Sequence, residues 1–182
     1  YLTVLALEFS PAVFEWLGWK VPLKIIRAIM IPLIVAGITL STLHQSTLGT
    51  MLTIMPDRIH PLWHSYLLPL LFYISAIGCG TAMLIFESFH SARTYGYPFK
   101  LGLWKQISKA LPWILGLYIV IRMADIIISG KISYVFEGGA PTTAFLIEMI
   151  IGFVVPAVMF AIPRIRGSIH GLAWAAFFAV VG

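Results

Sequence analysis

The sequence predicts an all-α fold, a polytopic integral membrane helical bundle, and three observations predict it. Hydrophobic residues fill 60% of the 182 positions and charged residues only 10%, against roughly 25% charged in an ordinary soluble domain. Apolar runs of about 20 residues, the length a helix needs to cross the hydrocarbon, recur between short polar loops. The mean hydropathy is +0.96, more apolar surface than a soluble core of this length could hide. A water-soluble class is therefore excluded. The net charge of +5 suggests nucleic acid only until the charges are placed, and they fall almost entirely in loops.

The first apolar run, Tyr1–Leu17, carries Glu8 near its middle and Pro11 one turn later, where the proline frees backbone carbonyls. The second, Ala28–Leu48, closes on His44, Gln45 and Ser46, three hydrogen-bonding side chains in a row, with Gly49 expected to break the helix. The loop that follows holds His60, Trp63, His64 and Tyr66, aromatic and histidine residues that suit anchoring at a membrane interface or docking of a partner protein. Leu67–Phe86 carries the single cysteine, Cys79, expected as a small packing residue; one cysteine allows neither an intrachain disulfide nor a thiolate metal cluster. Ile107–Ser129 contains Arg122 and Asp125, Thr142–Ile162 contains Glu148, and Gly171–Gly182 is the last run. The first run begins without a cap, the last stops in mid-run, and no basic leader precedes the first. Residues 1–182 therefore read as one transmembrane domain fragment, truncated within helices at both ends.

Lysine and arginine give the orientation. The loops after the first, third and fifth runs hold nine of them, counting Lys109 at the edge of the fourth run, and the alternate loops hold only Arg58 and Lys131. The basic loops are expected on the cytoplasmic side. On that topology, at 1.5 Å per residue, Arg122 lies roughly 10 Å, Glu148 roughly 9 Å and Asp125 roughly 6 Å inside the outer boundary. His44 lies about one turn inside it, so four ionisable residues share one depth.

A charge among lipid tails costs roughly 2.5–3.5 kcal/mol on insertion scales, so such residues usually face the bundle interior. Arg122 and Asp125, three apart, share a helix face and can pair. One reading is a neutralised pair that pins helices together. The other is a site for a polar headgroup whose reduction consumes protons. Asp125, Glu148 and His44 would then be donors, and His44, Gln45, Ser46 and Arg122 would bind a quinone. Glu8 belongs either to a proton route or to a contact with a further helix. A secondary transporter, a proton channel and a purely structural anchor are the competing classes. Scattered prolines at 11, 32, 69 and 156 argue against paired broken helices of the transporter kind. Of five histidines only His44 falls inside an expected helix, so neither haem nor metal is expected. The His60–His64 pair spans a proline in a loop and lacks an acidic companion.

The stretches LEFSPAVFEWLGWK, TLHQSTLGTM, HPLWHSYLLPLLFYISA, IVIRMADIIISGKISYVF and IEMIIGFVVP resemble, in that order, the NrfD/polysulfide-reductase membrane-subunit family. Within it they are most similar to HybB-type membrane subunits of periplasmic nickel–iron uptake hydrogenases, which are often labelled b-type cytochromes although the family pattern does not demand haem. The resemblance covers nearly all of the chain. It implies a protein of eight to ten helices in two four-helix bundles, in the cytoplasmic (inner) membrane of a bacterium or archaeon. It implies a menaquinone or ubiquinone site near the periplasmic face, fed by a ferredoxin-like iron–sulfur subunit and a catalytic redox subunit such as nickel–iron hydrogenase. His44, Gln45, Arg122, Asp125 and Glu148 are the matching site positions, and the helices outside this stretch supply part of the pocket.

Overall fold

The computed structural model describes residues 2–182, and the helix start expected at Tyr1 lies outside them. Among the described residues the regular structure is helical. Four helices are long and apolar enough to cross a membrane: Lys20–Thr53, Leu68–Tyr95, Leu101–Ile128 and Ala140–Ala161, with Ile169–Val181 a shorter apolar helix. The chain is a helical membrane bundle. It divides into two compact units, residues 1–47 and 48–182.

The first unit contains α1 (Leu2–Trp16) and most of α2 (Lys20–Thr53). The turn between them needs a left-handed residue, and Gly18 supplies it at φ 70°. Around this turn Arg27 pairs with Glu15 in the open, and Phe14 stacks on Trp19 at 6.0 Å. Glu8 turns its carboxylate toward Gly37 of α2, where a Cβ would lie 2.6 Å from Oε1. Gly49 does not break α2, which continues to Thr53. Its small size serves a close approach instead: a Cβ there would sit 2.7 Å from the Cα of Pro69.

The second unit holds α3 (Leu68–Tyr95), α4 (Leu101–Ile107), α5 (Leu111–Ile128), α6 (Ile132–Phe136), α7 (Ala140–Ile147), a π-helical segment (Glu148–Val154), α8 (Val155–Ala161), α9 (Pro163–Arg166) and α10 (Ile169–Val181). α3 outruns its apolar stretch and stops only at Gly96. Pro112 falls in the first turn of α5, where its missing N–H costs nothing. Ser168 caps α10, its Oγ accepting from the Gly171 N–H at 3.4 Å.

α3 packs along α10 and α5, and α5 along α8 and the π segment. Lipid tails are as apolar as leucine, so moving side chains inward gains little from the hydrophobic effect; close packing must hold the helices. The sequence supplies small residues for it. α10 buries Ala173, Ala175, Ala176 and Ala179, and Gly78 of α3 admits Leu115 of α5. Leu111, Phe160 and Leu172 fill the remaining space. The opposite faces carry apolar side chains outward, among them Trp113, Val120 and Ile128. Cys79 faces outward too and is not a core residue.

Candidate functional site: a buried arginine–carboxylate cluster

Along α5 the inward stripe reads Leu111, Leu115, Tyr118, Arg122, Asp125 and Ile126, a helical repeat. The stripe that should be uniformly apolar therefore ends in two charges. Arg122 is 2% exposed and Asp125 8%. Their closest approach is 3.8 Å, Arg122 NH1 to Asp125 Oδ2, an ion pair without a hydrogen bond. Arg122 NH2 donates to the Leu62 carbonyl, and the guanidinium lies 5.7 Å above the Phe145 ring, a cation–π geometry. Arg122 Nε and NH1 and Asp125 Oδ2 remain buried without a hydrogen-bond partner. Each such orphan costs about 1–3 kcal/mol. A cluster that holds several at one point is built as if to receive polar atoms.

The cover comes from the 59–67 loop. Leu62, which supplies the carbonyl for Arg122, is almost wholly buried. The next residue, Trp63, donates its indole N–H to Glu148 Oε2 at 2.6 Å and sets its ring edge-on to Phe145 at 5.7 Å. His60 packs edge-on against Trp63 and Tyr134. Lys131 Nζ donates to the His64 carbonyl at 2.6 Å, and a ring nitrogen of His64 meets the Thr53 carbonyl at 3.2 Å. Thr142 ties α7 to α6 through the Tyr134 carbonyl at 2.9 Å.

Glu148 opens the π-helical segment. π turns inside α-helices are frequent at functional sites because they widen the backbone and re-aim a side chain. Here the wide segment receives the end of α10: a Cβ on Gly152 would sit 2.5 Å from the Cα of Gly182. Tyr118, one turn before Arg122, stacks flat on Phe153 at 3.9 Å.

Of the residues singled out in the sequence, the fold brings Arg122, Asp125 and Glu148 together. Consecutive residues of one loop hold Arg122 and Glu148. His44, Gln45 and Ser46 lie on α2 in the first unit, with His44 exposed and the other two half-buried. Glu8 is half-buried in that unit, against Gly37. Sequence reading missed the Leu62 carbonyl and Phe145, and counted Lys131 only as a loop charge. It took Trp63 for interface anchoring or partner docking, whereas the indole turns inward to Glu148.

A second polar locus sits where the last turns of α3 meet the start of α10. Phe86, His90, Arg93, His170, Trp174 and Phe177 contribute to a cavity of about 480 Å³. His90 Nδ1 is 2.9 Å from the Phe86 carbonyl, and His170 lies edge-on to Phe89 at 6.0 Å. His44 is thus not the one intrahelical histidine: His90 belongs to α3 and His170 to α10. Among the described residues no group of three or more histidine, cysteine or acidic side chains could hold a metal ion.

No family model and no solved structure matches the chain. It is 34% identical over 185 residues to an Escherichia coli (strain K12) protein described as "Probable Ni/Fe-hydrogenase 2 b-type cytochrome subunit", covering all of this chain and 47% of that protein. It is 33% identical over 196 residues to a Nitratidesulfovibrio vulgaris (Hildenborough) protein described only as "Protein", covering all of this chain and 48% of that one. The chain spans about half the length of these relatives. Two expectations are corrected. The Escherichia coli relative is described as a hydrogenase b-type cytochrome subunit and not as a member of the NrfD/polysulfide-reductase family or a HybB-type subunit, so that family assignment does not stand. The same description overturns the expectation of a haem-free chain, because a b-type cytochrome is a haem protein. That expectation rested on His44 being alone within a helix.

Proposed function

We infer that this chain is part of the membrane subunit of a hydrogenase-type redox complex, a b-type cytochrome subunit that hands electrons to membrane quinone. The buried cluster carries the reading. Arg122 and Asp125 present unpartnered polar atoms in a low-dielectric setting, and a quinone headgroup offers two carbonyl oxygens that accept hydrogen bonds. Arg122 would donate to one carbonyl and stabilise the negative charge that grows on it. Reduction takes two electrons and two protons per quinone. The electrons come from the hydrogenase through an iron–sulfur subunit; Asp125 and Glu148 each deliver a proton to a quinone oxygen and are reloaded from the adjacent aqueous phase. Trp63 orients the Glu148 carboxyl by holding Oε2.

The lysine and arginine distribution supports an outward His60–Tyr66 end, with the electron donor on the outer side of a bacterial or archaeal cytoplasmic membrane. The haem implied by the relative's description supplies one-electron transfer when bound. The donor set at the α3–α10 cavity, two imidazoles from packed helices beside a guanidinium, fits such a group.

The test is the isosteric amide. Asp125→Asn and Glu148→Gln keep shape and hydrogen-bonding capacity but cannot release a proton. Each should cut electron flow from the hydrogenase to a quinone analogue by roughly 10²-fold or more, with the complex intact by size-exclusion chromatography. Full activity in both variants would overturn the proton-donor roles.

A further inference from the structure

We propose that a cavity between the end of α3 and α4 binds the headgroup of a zwitterionic aminophospholipid, Glu87 receiving its ammonium and Lys100 its phosphate. The walls follow from the sequence. Gly96 ends α3 in the left-handed conformation at φ 70°, and Pro98 two residues on cannot continue the helix. The chain folds back, and Phe99 meets Phe89 of α3 edge-on at 6.3 Å. The space enclosed between α3, this connection and α4 is about 300 Å³, lined by Glu87, Ser88, Ser91, Tyr97, Lys100 and Trp104 among others. That suits a headgroup, at the lower end of the range of about 300–1,000 Å³ for small-ligand sites.

The charges point to a zwitterion. Among the described residues the ion pairs are Arg27–Glu15 and Arg122–Asp125. Glu87 and Lys100 line one cavity with opposite charges and yet do not pair with each other. A plain anion would be repelled by Glu87 and a plain cation by Lys100; a molecule that carries both charges satisfies each. The hydroxyls agree. Elsewhere in α3 they return their proton to their own helix, Ser75 to the Phe72 carbonyl at 3.0 Å and Thr81 to the Ile77 carbonyl at 2.8 Å. Ser88 and Ser91, one turn apart and half-buried, make no such bond among the described residues, which leaves both as donors for phosphate oxygens. Tyr97 and Trp104 add aromatic faces, which attract an ammonium group. The depth selects a lipid. With Leu68 at one boundary, Glu87 lies about 28 Å along α3 at 1.5 Å per residue. The hydrocarbon is roughly 30 Å thick, so the cavity falls at the headgroup level. Tyr95 and Tyr97, 72% and 68% exposed, are the aromatic residues that favour that level.

The test uses the whole purified complex, stripped of lipid in detergent and then offered phosphatidylethanolamine and phosphatidylglycerol with the same acyl chains. Native mass spectrometry counts the lipids retained by wild type and variants. Glu87→Gln should lower the ratio of phosphatidylethanolamine to phosphatidylglycerol by about threefold, the effect of one exposed charge pair. Lys100→Gln, and Ser88→Ala combined with Ser91→Ala, should weaken retention of both lipids. Lys109→Gln changes a charge outside the cavity and should alter neither. Phosphatidylethanolamine should also raise the unfolding midpoint of the wild type more than that of Glu87→Gln. An unchanged lipid ratio in Glu87→Gln would overturn the assignment. So would a midpoint raised equally by inorganic phosphate or by free phosphoethanolamine, which would make the occupant a soluble molecule. If Glu87→Gln fails to assemble, Lys100→Gln decides: full retention of phosphatidylethanolamine there would overturn the assignment as well.

Discussion

Replacing Arg122 by leucine removes the one cation of the buried cluster and leaves three consequences. Asp125, 3.8 Å from NH1, loses its counter-charge. The Leu62 carbonyl loses its donor, and Phe145 loses the guanidinium above its ring. Breaking a buried pair typically costs about 3–5 kcal/mol, and an orphaned buried carbonyl about 1–3 kcal/mol more. The 3.8 Å separation of the pair is too long for a hydrogen bond, which caps the electrostatic part. The expected loss is about 3–5 kcal/mol in all, a large share of the roughly 5–15 kcal/mol that separates most folded domains from unfolded ones. Arg122→Leu combined with Asp125→Leu removes both charges and should cost only about 1–3 kcal/mol, for the carbonyl alone. The double variant should therefore be more stable than the single by on the order of 2 kcal/mol. Unfolding in detergent, followed by tryptophan fluorescence and by recovery of the monodisperse complex, measures both. A single variant within about 0.5 kcal/mol of wild type, or a double variant as damaged as the single, would refute the reasoning.

Trp63→Phe keeps the ring against Phe145 but removes the N–H that holds Glu148. It forfeits a hydrogen bond of about 0.5–1.5 kcal/mol and should slow quinone reduction by up to roughly tenfold, and an unchanged rate in the intact complex would count against a role for Glu148. Gly152→Ala must push a Cβ against Gly182; overpacking of this kind costs about 1–3 kcal/mol and should lower the unfolding midpoint by roughly 2–4 °C per kcal/mol. Gly80→Ala, where nothing lies within 4 Å, is its control and should leave the midpoint unchanged or raise it.

The apolar runs around Arg122 and Glu148 were legible because hydropathy is a local property, and a charge inside such a run announces its own burial. Helix ends were less legible. Stopping the third helix at Phe86 followed the end of the apolar stretch, but backbone hydrogen bonds carry α3 through the polar turns to Tyr95. That shortfall, with a late start for α10, left His90 and His170 in supposed loops and produced the haem-free expectation. The partner of Glu148 was out of reach for a different reason: Trp63 meets it across 85 positions, and no periodicity reports so distant a pairing. The π segment was likewise invisible, since EMIIGFV has the apolar pattern of any membrane helix.

The 59–67 loop grips two helices with two neighbouring residues by two different means. Leu62 uses its main chain, which every amino acid possesses; Trp63 uses an indole N–H, which no other side chain offers in the same place. Substitution at 62 is therefore limited by volume, and at 63 by chemistry. Length is limited more strictly than either. Loops ordinarily accept insertions, but tolerance depends on whether the affected backbone is buried and bonded. An added residue between 62 and 63 would uncouple the hold on α5 from the hold on Glu148. In an insertion scan this connecting segment should therefore behave like the interior of a helix.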